Sequence, residues 1–71
     1  MITLKDALKK IDYKISQVIE HRDFWVFCPI GEPDCSPLAV KKETGEVFVF
    51  FPPHYFGKDI GEAKIINVSS I

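Results

Sequence analysis

The chain has 71 residues, nine Lys plus Arg against ten Asp plus Glu, a formal net charge of −1, and 46% apolar side chains. That length excludes two domains and requires one core to supply nearly all the stability, so residues 1–71 are read as a single small domain. Near-neutral charge leaves no field that would draw the protein onto nucleic acid or an anionic membrane, and the apolar content excludes disorder.

Thr3 occupies an N-cap position, with Asp6 three residues later in capping-box spacing. Leu4, Ala7, Leu8, Ile11, Ile15, Val18 and Ile19 recur at three-and-four spacing, with Lys5, Asp6, Lys9, Lys10, Asp12, Lys14 and Glu20 on the other side. The spacing predicts an amphipathic helix from about residue 3 to about residue 20, ended by His21, Arg22 and Asp23.

Phe24-Trp25-Val26-Phe27 is aromatic and β-branched and predicts a strand, followed by a turn-rich loop up to Pro37. Residues 38–42 and 46–51 flank Glu43-Thr44-Gly45, which predicts a hairpin. With that loop, Lys42 faces Glu46, Val40 faces Phe48 and Leu38 faces Phe50. Pro52 and Pro53 end the strand, because neither can donate to a ladder. After a loop over residues 54–61, residues 63–68 are read as a fourth strand or a short helix.

The expected fold is therefore α+β, with one N-terminal amphipathic helix packed on a three- to four-stranded antiparallel sheet. One helix covers one side of a sheet, yet residues 47–51 are apolar at every position. In the expected register Leu38, Val40, Phe48 and Phe50 share one side, and Ala39, Lys41, Val47, Val49 and Phe51 share the other. One of these sides needs a second cover: the C-terminal segment, a second copy of the chain, or another protein.

The candidate metal ligands His21, Cys28, Cys35 and His54 lack the short fixed spacing of a zinc site, and no cofactor is expected. Gly31, Gly45, Gly57 and Gly61 are scattered singly, so no phosphate-cradling loop is present. The N-terminus meets charge before a signal-length apolar run develops, so a cytoplasmic protein with reduced Cys28 and Cys35 is expected. The segment Phe51-Pro52-Pro53-His54-Tyr55-Phe56-Gly57 joins stiff prolines to aromatics. It reads either as a loop that lays Tyr55 or Phe56 on the core or as an interaction loop.

Trp25-Val26-Phe27 in the first strand, Pro37 before the next, and Val40-Lys41-Lys42-Glu43-Thr44-Gly45-Glu46-Val47 across the hairpin resemble the YrhB-like and immunity protein 35 families. Their hairpin typically reads Val-Asp-Lys-x-Thr-Gly-x-Val, and here Lys41 stands where Asp is usual. The resemblance implies a non-enzymatic protein that holds another polypeptide, most directly an immunity-type protein that neutralises a bacterial toxin. The other role it implies is chaperone-like, and the alternative reading is a chaperone-like or structural homodimer that buries the same apolar surface. On the immunity-type reading the partner-binding residues are Trp25, Glu32, Asp34, His54, Tyr55 and Phe56, and no residue is catalytic.

Overall fold

The computed structural model describes residues 1–31, 37–55 and 57–70. A five-residue helix, α1 (Leu4–Leu8), precedes β1 (Ile15–Glu20), β2 (Phe24–Pro29), β3 (Leu38–Lys41), β4 (Val47–Val49) and β5 (Lys64–Asn67), with a 3₁₀ turn at Pro52–Tyr55. The strands form one five-stranded antiparallel sheet in the order β4-β3-β2-β1-β5. The α+β class and the antiparallel sheet are as expected, but the sheet dominates and gains a strand.

That strand comes out of the expected helix. Thr3 caps α1 in a capping box, with Asp6 N–H donating to its hydroxyl and Thr3 N–H donating to the Asp6 carboxylate. The helix nevertheless stops at Leu8, and residues 15–20 form β1 rather than its continuation. Ile15, Val18 and Ile19 fit a helical stripe on paper, but β-branched side chains are stiff at χ1 and gain more on a pleated surface. Val18 pairs with Phe27 on one side and Ile66 on the other, and is fully buried. A five-residue helix is far below the length that stabilises itself, so α1 depends on its packing.

Between them, Tyr13 ties the sheet together. Its hydroxyl donates to the Phe27 carbonyl and accepts from Leu38 N–H at 3.0 Å, bridging β2 and β3 at their common end. At Ser16 the β1–β2 register slips, Ile15 facing Pro29 while Gln17 faces Cys28. The Ser16 hydroxyl donates to the Cys28 carbonyl across this bulge at 3.2 Å.

The β3–β4 register also differs from expectation by one residue. Lys41, not Lys42, lies opposite Glu46: Lys41 N–H donates to the Glu46 carbonyl and Gly45 N–H donates to the Lys41 carbonyl, each at 2.9 Å. Lys42 is drawn away because its N–H donates to Asp23 and its carbonyl accepts from Ile2. The turn therefore has four residues and closes through Gly45, whose φ of 79° favours glycine. Val40 consequently pairs with Val47, Ala39 with Phe48 and Leu38 with Val49. A one-residue slip exchanges the faces, so Phe48 and Phe50 join Ala39, while Val47 and Val49 join Leu38 and Val40.

Two cores result. On one face Ala7, Ile11, Val18, Trp25, Phe27 and Val40 are buried together beneath α1 and the N-terminal segment. On the other face Phe24, Val26 and Ala39 are covered by Phe48, Phe50, Tyr55 and Ile60. The second cover is thus the chain itself, because residues 50–63 must cross from β4 at one edge to β5 at the other. Arg22 fastens this crossover at the β1–β2 turn, its N–H donating to the Ile60 carbonyl at 3.2 Å and its guanidinium to Asp59. Among the described residues no helix is long and apolar enough to cross a membrane.

Candidate functional site

The crossover lays aromatic rings on the sheet without sealing it. Tyr55 stacks on Phe50 with ring centroids 5.1 Å apart and tilts against Phe24 at 5.8 Å, while Phe24 meets Phe48 edge-on at 5.6 Å. Such offset and edge contacts suit the ring quadrupoles and fix the rings rigidly. Beside them opens a groove of about 950 Å³, with Phe24, Phe48, Tyr55 and Ile60 on its apolar side. Its charged boundary includes Arg22, Asp23, Lys41, Glu43 and Glu46.

Several of those charges are already matched. Lys41 pairs with Glu46 at 3.2 Å, and Arg22 with both Asp23 and Asp59 at 3.3 Å. Asp59 is held below the usual carboxylate range by the Gly61 N–H it accepts and by Arg22. Glu43 is exposed at the lip of the groove. A groove with an apolar floor and a rim of mostly neutralised charge suits an apolar or aromatic side chain of a protein partner better than a highly charged ligand.

Of the residues expected to bind a partner, the described ones, Trp25, His54 and Tyr55, do not share one face. His54 is exposed and its ring stands edge-on to Tyr55 at 5.3 Å, with the Lys58 ammonium 3.5 Å from its Nε2. Tyr55 is half-buried and contributes to the second core. Trp25 is only 5% exposed and belongs to the opposite, helix-covered core, so its ring is a packing element rather than a contact surface. Glu32, Asp34 and Phe56 lie outside the described residues.

Trp25 instead completes a polar cluster at the other face. Its indole N–H donates to Glu20 Oε2 at 3.2 Å, and the Lys42 ammonium donates to the same oxygen at 3.0 Å while sitting 5.3 Å from the indole centroid. The bond from Lys42 holds the Glu20 carboxyl below its ordinary value, against the opposing effect of burial. Glu20 and Trp25 are cross-strand partners, a relation visible only once residues 15–20 are a strand.

His21 is the other residue whose setting the sequence did not disclose. It is 8% exposed, lies 4.9 Å from the Phe24 ring and 6.0 Å from that of Phe50, and its Nδ1 has no hydrogen-bond partner. Burial pushes its imidazole below the ordinary value, with a hydrogen bond to the Gly61 backbone opposing and nearby Lys42 reinforcing that shift. The signal in sequence was only that it follows Glu20 and precedes an aromatic run.

Cys28 is half-buried, and burial pushes its thiol up, a setting that suppresses rather than activates a nucleophile. Cys35 lies outside the described residues. Among the described residues no group of three or more His, Cys, Asp or Glu converges on a point where a metal ion could sit. A scan against protein-family models and searches of curated proteins and of solved structures find no match to this chain.

Proposed function

We propose that this protein is a non-catalytic protein-binding module that receives an apolar or aromatic side chain of its partner in the groove beside Tyr55. The observation that carries the reading is the groove itself: fixed aromatic rings beside an opening that the crossover leaves uncovered. Rigid rings lose little entropy on binding, and mostly paired charges at the rim exclude water without demanding a charged partner. The resemblance of the 40–47 hairpin to the YrhB-like and immunity protein 35 families narrows the proposal to an immunity-type protein that occludes a toxin domain. His54, whose ring stands against Tyr55, together with Glu32 and Asp34, would then contribute polar contacts.

The test blocks the groove without disturbing its floor. Glu43 is exposed at the lip, so Glu43→Trp covers the opening while leaving Phe24, Phe48 and Tyr55 in place. The tagged wild-type protein is expected to capture a stoichiometric partner from its native host. That partner should arrest growth when expressed alone and not when co-expressed with the wild type, and Glu43→Trp should lose both capture and protection. Recovery of the protein alone, or full protection by Glu43→Trp, would overturn the reading.

A further inference from the structure

The two edges of the sheet are defended very differently. Along β5 the exposed Ile65 is flanked by Lys64 and, two positions on, by Asn67, the polar interruptions by which natural edge strands resist pairing. Along β4 the exposed side chains are Val47, Val49 and, just beyond the strand, Phe51, at 40%, 57% and 58% exposure. Charge is absent between Glu46 and Pro52. These three residues alternate along the chain and so share one side, the side of the helix-covered core, where α1 is too short to reach them.

Val47 and Val49 also carry outward-facing main-chain groups. Glu46 and Lys41 are a hydrogen-bonded pair, and Phe50 N–H donates to the Pro37 carbonyl, which fixes the even-numbered residues of this segment as those bonded inward to β3. By the alternation of an antiparallel ladder, the N–H and C=O groups of Val47 and Val49 and the N–H of Phe51 point outward from the sheet edge, while the Phe51 carbonyl also accepts from His54 N–H at 3.0 Å. Main-chain donors and apolar side chains are therefore presented together, in register, on one short edge.

We infer that β4 pairs with β4 of a second copy of the chain, antiparallel across a two-fold axis at Val49, to make a continuous ten-stranded sheet. This register is self-complementary. It places Val49 opposite its own counterpart and Val47 opposite Phe51 of the second copy, all outward-bonding residues against outward-bonding residues. Glu46 falls opposite Pro52, so like charges do not meet, and a net charge of −1 per chain offers little repulsion. The prolines end the pairing at both extremities, which closes the assembly at two copies. The groove beside Tyr55 lies on the opposite side of β4, so this inference does not rest on the proposed partner site and can fail independently of it.

The experiment measures mass by sedimentation equilibrium across a concentration series, with cross-linking to fix the register. The wild type is expected to move from 8.1 kDa toward twice that mass. Val49→Asp sets two carboxylates opposite each other and should weaken self-association by at least about tenfold. Ile65→Asp at the other edge should leave it unchanged. In a hydrogen-bonded antiparallel pair the facing Cα atoms are about 5.5 Å apart, within the disulfide range, so mild oxidation should turn Val49→Cys into a covalent dimer. Val47→Cys should not cross-link, because its counterpart lies roughly 14 Å away along the strand. A chain that stays monomeric at every concentration, or a dimer that tolerates Val49→Asp, would sink the inference. Should Val49→Asp fail to fold, as circular dichroism would show, Val49→Cys decides: absence of the covalent dimer overturns the inference.

Discussion

The Glu20 carboxylate and the Lys42 ammonium meet at 3.0 Å above the indole of Trp25, joining the end of β1 to the turn after β3 across the intervening strand. Lys42 is 14% exposed at its side chain and Glu20 32%, so the pair is shielded enough to exceed a surface ion pair and wet enough to avoid a full desolvation cost. Lys42→Met keeps the stem over the ring and removes only the charge. It should destabilise the fold by about 1–2 kcal/mol, and a double-mutant cycle with Glu20→Gln should return a coupling of about 1 kcal/mol, both read by urea denaturation. Because Glu20 titrates below its ordinary 4.5 in the folded state, its contribution is complete above that value and fades as pH falls through the folded one.

The Tyr13 hydroxyl bridges main-chain groups of β2 and β3, serving one acceptor and one donor at once. Tyr13→Phe retains the ring and strands the Phe27 carbonyl and Leu38 N–H. A cost of about 1–3 kcal/mol is expected, measured as a shift of the urea midpoint at constant m-value. Amide exchange at Leu38 should quicken more than at Val40, deeper in the same strand. Equal acceleration at both would argue that the loss is global rather than at the bridge.

How much of this could be read from sequence depended on parity and pairing. The cap at Thr3 and the hairpin at Gly45 are written in a few adjacent residues, and both exist. Ile15, Val18 and Ile19 satisfy a helical period and a strand equally well over so short a span, and only their pairing with β2 and β5 decides between them. The hairpin register turned on whether Lys42 pairs with Glu46, and contacts from Asp23 and Ile2, distant in sequence, draw it elsewhere. The excess of apolar residues in segment 47–51 was legible. Its division was not, because the one-residue slip sends Phe48 and Phe50 to a core and leaves Val47 and Val49 exposed. Trp25 looked like an interface anchor because composition cannot tell a buried indole from a presented one.

His21 gives the fold a second, higher pH dependence. Burial between Phe24 and Phe50 disfavours the charged imidazole, so its folded value lies below the ordinary 6.5. The unfolded chain then binds more protons between the two values, and stability must rise with pH across that window. It is complete above 6.5 and lost as pH falls through the folded value. Lys42 adds to the penalty on the charged form, while the Gly61 backbone bond reduces it. Thermal melts at successive pH values should show the wild type losing stability below 6.5, while His21→Phe, which fills the same aromatic site without a titrating group, stays flat over that window. A parallel loss in both proteins would assign the effect to other groups.

The crossover that covers the second face is fixed by how closely Gly61 approaches Arg22. A Cβ built at Gly61 would lie 2.8 Å from the Arg22 Cβ and 3.2 Å from its backbone nitrogen, at a φ of +81°. Gly57, in the same crossover, has a φ of +79° but open space around it. Gly57→Ala therefore meets only backbone strain, about 1 kcal/mol, whereas Gly61→Ala must also push the crossover off the β1–β2 turn, for a total of about 2–3 kcal/mol. Moving Gly61 would stretch the Arg22 N–H bond to Ile60 and the His21 bond to Gly61 together. Gly61→Ala should therefore raise amide exchange at Arg22 and, by weakening the bond that partly offsets burial at His21, lower the folded His21 value further and widen the pH window over which stability is lost, while Gly57→Ala does neither. Equal costs for the two substitutions would mean that the crossover adjusts freely at Gly61, and that its hold on the sheet comes from Phe50, Tyr55 and Ile60 instead.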